Sequence, residues 1–366
     1  MRWLLAAAVL AIAGSGCNGA SPATPPATEP AAEPADASAE PGARSDPLTI
    51  ENAAYDEAAA YSARHGGLAL VVIEGDRVAL ALGQNGHSVS EAHPLHGASE
   101  SFWGPLAVAA ERNSLLDLDE PVSFTIQEWD GVRWKNDMRI RQLLQYTSGL
   151  ESGMWPLLRD APTNHYERAL TLEMVAAPGV RFQVGPSHLA VFGEVLRRKL
   201  AQEGSDALAY LEQQILDPIG LEIASWRRDA AGNPDLANGA SMAASEWAKF
   251  GVLIRDRGDW HGEVVLDAQG VEACLQRSEV QPRFGLTLWL SAREPDAVKS
   301  PGSSAGQTAG YHEIPEDLVM AAGAGNQRLY VIPSLNLVVA RFGEEDRDWR
   351  DPDFLERISA AAASDR

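Results

Sequence analysis

The feature that most constrains the fold is the position of the strand-like runs at both ends of the chain's globular part. Two runs come early, at residues 68–73 and 78–82, and the short polar segment Glu74-Gly75-Asp76-Arg77 joins them as a hairpin. Four more come late, at residues 285–290, 318–322, 328–332 and 337–342. We therefore predict one sheet that takes strands from both ends of the chain.

Apolar residues recur at helical spacing between the two groups of strands, and also before the first strand and after the last. A helix is predicted before the first strand, at residues 48–63, and another after the last strand, at residues 353–363. The central helices are predicted at residues 102–112, 170–176, 188–200, 207–215 and 245–257. The central part thus forms a helical insertion that packs beside the sheet.

The N-terminus has the pattern of an export signal. A short basic start is followed by an apolar run at residues 4–13 and by small residues before Cys17. We predict a lipoprotein-type signal peptide over residues 1–17, cleaved before Cys17, whose thiol is then acylated. A plain signal peptide with an incidental cysteine is the alternative, because Gly14 stands where Leu is commoner. The apolar run is too short for a mature membrane span.

Residues 18–47 are almost entirely Ala, Pro, Glu, Ser, Thr and Gly, a composition typical of a disordered tether. Residues 48–366 are then the folded domain, held at the periplasmic or cell-envelope side of a membrane through Cys17. A net charge of −21 argues against nucleic-acid binding. Cys274 is predicted to be a buried, unpaired thiol.

Several segments resemble one family of hydrolases. Residues 140–150 read IRQLLQYTSGL, where the family has I-R-x-L-L-x-H-T-S-G-L with His at the place of Tyr146. Similar segments follow in the family's order at residues 178–182 (PGVRF), 217–221 (DPIGL), 238–267 and 328–342. The chain resembles the serine β-lactamase-related and D-alanyl-D-alanine-peptidase-like hydrolases, the branch with class C β-lactamases and esterases. This resemblance implies an α/β fold with an antiparallel sheet, flanking terminal helices and an all-helical subdomain.

The family's three catalytic motifs are replaced in this sequence. Gly97-Ala98-Ser99-Glu100 stands where S-x-x-K supplies the nucleophile and its base, and Val184 stands where Y-x-N supplies a tyrosine. The K-T-G place reads Ala-Gly-Ala-Gly-Asn-Gln over residues 322–327. Glu100 at a helix N-terminus is expected to be a stabilised carboxylate and therefore a poor base. No catalytic residue can be assigned with the family's pattern.

Other serines offer only weak alternatives. Ser99 or Ser101 could act as a relocated nucleophile with Glu100 or His96 as base, and Ser99 is the fallback choice. Gly302-Ser303-Ser304-Ala305-Gly306 matches G-x-S-x-G but lacks the flanking strand and helix of that motif. Ser148 is expected to be a loop-end hydrogen bonder, and a dyad of the adjacent Ser187 and His188 is improbable.

The leading hypothesis is an exported pseudo-hydrolase whose cleft binds a cell-wall peptide or an envelope protein. The alternatives are an active esterase, β-lactamase or peptidase with a rearranged nucleophile, and a purely structural envelope lipoprotein. No cofactor is predicted, and no metal site, because the histidines lack H-E-x-x-H or clustered spacing. The predicted binding residues are Ser99, Glu100, Ser187, Gly323, Gly325 and Asn326.

Overall fold

A six-stranded antiparallel sheet in the order β2-β1-β11-β10-β9-β8 forms the centre of the domain. The computed structural model describes residues 48–160, 162–291 and 314–364. The first long strand pairs with the last one, which confirms a sheet built from both ends of the chain. The strands are β1 (Gly67–Glu74), β2 (Arg77–Gly83), β3 (His93–Pro94), β4 (Ser225–Trp226), β5 (Ala240–Met242), β6 (Asp259–Trp260), β7 (Glu263–Val264), β8 (Trp289–Leu290), β9 (Val319–Gly323), β10 (Gln327–Ile332) and β11 (Leu337–Gly343).

Helices cover the sheet on both sides and form the predicted insertion between its strands. The terminal helices α1 and α9 contact each other, and α7 packs on β1, β10 and β11. The helices are α1 (Asp56–Arg64), α2 (Trp103–Arg112), α3 (Ile140–Leu144), α4 (His165–Leu170), α5 (Ser187–Leu200), α6 (Ala207–Leu211), α7 (Ala244–Arg255), α8 (Ala268–Cys274) and α9 (Asp351–Ser364).

Strand β1 is apolar on both faces because alternate residues point into two different cores. Ala69 and Val71 belong to the large core shared with α2, α5 and α7, whereas Leu70 and Val72 point into a second core with α1 and α9. A strand covered on both faces needs a continuous apolar run rather than an apolar–polar alternation. The predicted α/β architecture with flanking terminal helices is therefore confirmed.

Three predicted elements differ from the structure. The predicted strand at 285–290 shrinks to β8 because Thr287 has a positive φ of 57° and the chain folds back, pairing Phe284 with Trp289. The predicted helix at 170–176 is absent, since the backbone N–H of Val175 donates to the Gly149 carbonyl. The predicted helix at 48–63 begins only at Asp56, because Ile50 pairs with Ala81 beside the sheet.

Several sequence predictions fall outside the described residues. These are the signal peptide with Cys17, the tether at 18–47 and the G-x-S-x-G match at 302–306. Within the described ranges, no helix is long and apolar enough to cross a membrane. Cys274 is buried in α8 with a free thiol, as predicted, and burial raises its pKa well above the ordinary value.

Candidate functional site

The candidate site lies where the short segment His96–Phe102 meets the end of strand β9 at Gly323. This segment is a 3-10 helix that runs directly into α2. A Cβ atom built on Gly97 would lie 3.6 Å from the Ala322 carbonyl oxygen and 3.9 Å from the Gly323 Cα. The structure thus brings Gly97, at the nucleophile's place, against the strand at the K-T-G place.

Gly323 is required by this close approach of two backbones. A Cβ atom there would lie 2.1 Å from the Leu95 carbonyl oxygen and 3.0 Å from the Ala98 nitrogen. Contacts this short are not tolerated between a side chain and a fixed backbone. The glycine therefore fixes the distance between the His96–Phe102 segment and β9.

Glu100, at the place of the family's lysine, faces the hydroxyl group of Tyr146. Burial raises the pKa of the Glu100 carboxyl to about 8, with Asp235 adding to the rise and Tyr146 opposing it. Burial and the facing carboxyl also raise the pKa of Tyr146 well above its usual value. The Tyr146 hydroxyl is fully buried and makes no hydrogen bond of ordinary geometry. At neutral pH, Glu100 is thus mainly an uncharged acid.

The expectation that a helix dipole keeps Glu100 charged is wrong. Glu100 lies in the 3-10 segment before α2, so it does not occupy the first turn of an α-helix. The loss of hydration on burial outweighs any dipole effect on its pKa. A neutral carboxyl group replaces the cationic or basic amine expected for this family.

The serines predicted as nucleophiles or ligand contacts are buried, and two of them are hydrogen-bonded within the fold. The Ser99 hydroxyl accepts a hydrogen bond from the Ala240 backbone N–H at 3.1 Å, and the Ser101 hydroxyl donates to the Ala98 carbonyl at 2.8 Å. Neither bond is to a basic side chain. Ser187 begins α5, and its hydroxyl is buried without a partner. A ligand reaches Ser99 or Ser187 only if the surrounding segments move.

Sequence reasoning missed a serine–histidine hydrogen bond beside Tyr146. The Ser148 hydroxyl lies 2.8 Å from His188 Nδ1, and His188 Nε2 lies 2.6 Å from the Gln183 carbonyl oxygen. That carbonyl can only accept, so Nε2 carries the proton and Ser148 donates to Nδ1. Burial lowers the pKa of His188 to about 4. No local signal links residues 148 and 188, since the contact forms only when α5 packs behind the T-S-G loop.

Val184 and its neighbours form an apolar rim next to this cluster. Val184 is 48% exposed and Trp155 is 62% exposed, and Met154 is also exposed. The two segments adjoin, because the Ser187 backbone N–H donates to the Ser152 carbonyl at 3.2 Å. We call Met154, Trp155 and Val184 the apolar rim.

Gly325 and Asn326, also predicted to bind a ligand, lie in the turn after β9 and are bound to the chain itself. The Asn326 side-chain amide donates to the Asp346 carbonyl at 3.0 Å. Gly325 has a positive φ of 72°, which the turn between β9 and β10 requires. Of the six predicted binding residues, Ser99 and Glu100 lie on the same segment as Gly97, and Gly323 lies against that segment.

None of the lysines in the described ranges replaces the missing base. Lys135 donates to the Leu170 carbonyl at 2.8 Å, Lys199 pairs with Glu120 at 2.7 Å, and Lys249 pairs with Glu246 at 2.7 Å. Each amine is thus held by a partner in the helical part of the fold.

The sequence model of the beta-lactamase family matches residues 52–345. The chain belongs to the beta-lactamase family. Its matched region contains both the Gly97–Gly323 contact and the Glu100–Tyr146 pair. No curated protein matches this beta-lactamase-family chain significantly in sequence.

Solved structures similar to this beta-lactamase-family protein include penicillin-binding protein homologues and a hydrolase. A penicillin-binding protein homologue from Caulobacter crescentus superposes with a TM-score of 0.63 at 13% identity, covering 86% of this chain and 98% of the other. A penicillin-binding protein homologue from Pyrococcus abyssi gives a TM-score of 0.59 at 16% identity, covering 85% and 76%. EstCE1, described as a hydrolase with promiscuous acyltransferase activity, gives 0.65 at 16% identity, covering 84% and 96%. At these identities, the likeness shows the fold.

Proposed function

We propose that this protein is a beta-lactamase-family member that binds a ligand at the family's site without cleaving it. One observation carries the proposal. Gly97, which lies against β9, has no side chain, and position 100, where the family has lysine, holds a carboxyl group of raised pKa. Acyl transfer requires a nucleophile and its activating base as one unit. This chain lacks both the nucleophile and its base, and Val184 stands in place of the family's tyrosine. The unit is therefore absent rather than weakened.

The proposed ligand is a cell-wall peptide or an envelope protein. The apolar rim supports binding, because exposed tryptophan, methionine and valine side chains next to a site offer area for an apolar or peptide ligand. Penicillin-binding protein homologues are among the similar structures. The first candidate is therefore a peptide that ends in D-alanyl-D-alanine.

Binding of such a peptide can be tested with one rim variant and one matched control. Trp155→Ala removes the most exposed rim side chain and is expected to weaken binding about tenfold, as for an interface aromatic. Phe124→Ala removes an equally exposed aromatic, 71% accessible, from a different part of the fold and should leave affinity unchanged. The measurement is calorimetric titration with the D-alanyl-D-alanine peptide.

Equal affinity of Trp155→Ala and Phe124→Ala for the peptide would show that the apolar rim does not bind it. Release of D-alanine during the titration would contradict binding without cleavage.

A second candidate function is an active serine hydrolase with a rearranged nucleophile. The Ser148–His188 hydrogen bond of 2.8 Å favours it more than Ser99 does, because Ser99 has no basic partner. Complete burial of both side chains opposes it, since a substrate carbonyl must reach the hydroxyl. A fluorophosphonate adduct mapped to Ser148 or Ser99, and lost in the corresponding Ser→Ala variant, would establish this candidate.

A further inference from the structure

Two histidines and a glutamate come together at strand β3 and the loop before it, on the part of the chain that precedes the His96–Phe102 segment. His87, Glu91 and His93 each offer one ligand atom, and these atoms all lie within 4.8 Å of one another. His87 Nδ1 lies 3.2 Å from a Glu91 carboxylate oxygen. Two ligands of a tetrahedral zinc ion lie about 3.3 Å apart, given bonds of about 2.0–2.1 Å. One edge of a coordination sphere is therefore already formed.

The backbone fixes the loop that carries His87 and Glu91. Gly83 makes room for this loop, because a Cβ atom there would lie 2.0 Å from the His87 carbonyl oxygen. The His87 backbone N–H donates to the Gln84 carbonyl at 3.0 Å, and that of Glu91 donates to the Ser88 carbonyl at 3.2 Å. The side chains still keep freedom to adjust, since both are partly exposed.

His93 is held more tightly and has an unused nitrogen. It pairs with Met242 in the small sheet, and its ring lies 5.4 Å from the Phe342 ring and 5.6 Å from the His87 ring. The residue is only 8% exposed, and its Nε2 atom is buried with no hydrogen-bond partner. A buried polar atom without a partner is costly, and a ligand that uses it would remove that cost.

We propose that His87, Glu91 and His93 bind a divalent transition-metal cation, with Zn²⁺ as the best-suited probe. Two imidazoles and one carboxylate are a zinc-type donor set that leaves a fourth position for water, and imidazole nitrogens disfavour Mg²⁺ and Ca²⁺. Closing the sphere requires the most distant ligand atom to move by about 1.5 Å, within the reach of side-chain rotation. The chain's net charge of −21 also attracts cations.

The sequence analysis missed the group, since H-x-x-x-E-x-H is not one of the spacings associated with zinc sites. The chain turns after residue 86, so that His93 comes close to His87 and Glu91. The spacing in the sequence does not reveal this approach.

The test is a titration of the full chain, purified without a histidine tag, with Zn²⁺ alone at physiological salt. We expect one equivalent to bind and to raise the melting temperature, since a cation that binds only the folded state stabilises it. His87→Ala and Glu91→Gln should each weaken this binding at least about tenfold. The control His261→Ala removes an exposed histidine elsewhere and should change nothing.

The side chains of His87 and Glu91 are partly exposed, so their variants test the site without disturbing the core that His93 contacts. Excess Mg²⁺ should not displace the bound Zn²⁺. Absence of stoichiometric Zn²⁺ binding, or binding unaffected by His87→Ala, would overturn the proposal.

Discussion

Glu100 shows how a single buried carboxyl group changes both stability and chemistry. Burying an ionised carboxylate costs more than burying the neutral acid, so folding raises the pKa to about 8 from a reference value of 4.5. The folded state therefore binds a proton that the unfolded chain releases. The free energy of unfolding falls with rising pH between these two values because of this group.

Glu100→Gln keeps the shape of the acid but removes its titration. The variant should gain stability over the wild type by about 2 kcal/mol between pH 5 and pH 8.5, after allowance for partial solvent screening. Urea unfolding at the two pH values measures this difference. The exposed Glu279→Gln serves as control and should track the wild type at both. Parallel stability curves for Glu100→Gln and the wild type would show that Glu100 titrates normally.

At the scale of elements, the contact between the His96–Phe102 segment and β9 shapes the site. Gly97 has ordinary space above it, with its nearest atom at 3.6 Å, whereas Gly323 has backbone atoms at 2.1 and 3.0 Å. The two glycines face each other, yet only one is sterically required. The segment could therefore carry a serine at position 97 without a change of backbone.

This difference predicts opposite outcomes for two matched substitutions. Gly97→Ala should change the free energy of unfolding by less than about 1 kcal/mol, whereas Gly323→Ala should cost about 3 kcal/mol because backbone must shift. Thermal and urea unfolding of both variants measure the effect. Equal stability of the two variants would mean that the segment and β9 are not held at this distance.

The strands and helices were predictable mainly where local pattern and burial agree. β1, β2, β10 and β11 are mostly apolar, and their bounds shift by only one residue. The predicted strand at 285–290 failed because a tertiary turn at Thr287 overrides its β propensity. The predicted helix at 170–176 failed likewise, because the Val175 backbone N–H donates to the Gly149 carbonyl, a contact that periodicity does not show.

The sequence indicated where the candidate site lies, because its segments follow the family's motif order. It did not indicate the electrostatics of that site. The motif order assigned Gly97 and Gly323 to the places of two family motifs, and the structure places these two glycines against each other. The state of Glu100 depends on Tyr146 and Asp235, and the hydrogen bond of Ser148 depends on His188. These partners are distant in sequence, so their effects appear only in three dimensions.

For the whole molecule, the proposed export and anchoring depend on Cys17. Replacement by Ala should leave the protein unacylated, move it from the membrane to the soluble fraction and remove palmitate incorporation. Fractionation of cells labelled with palmitate measures both effects. Cys274→Ala is the control, because its thiol is buried in α8. Palmitate incorporation that persists in Cys17→Ala would contradict a lipid anchor at this residue.

We propose that this protein keeps the family's scaffold and lacks its acyl-transfer chemistry. The most direct measurement is the intact mass of the purified protein after incubation with a reactive penicillin and, separately, with a fluorophosphonate. The triple variant Gly97→Ser, Glu100→Lys, Val184→Tyr is treated alongside. We predict no adduct on the wild type and a penicillin adduct on the variant, at position 97. A covalent adduct on the wild-type protein would contradict the account, and peptide mapping would then identify the serine that carries it.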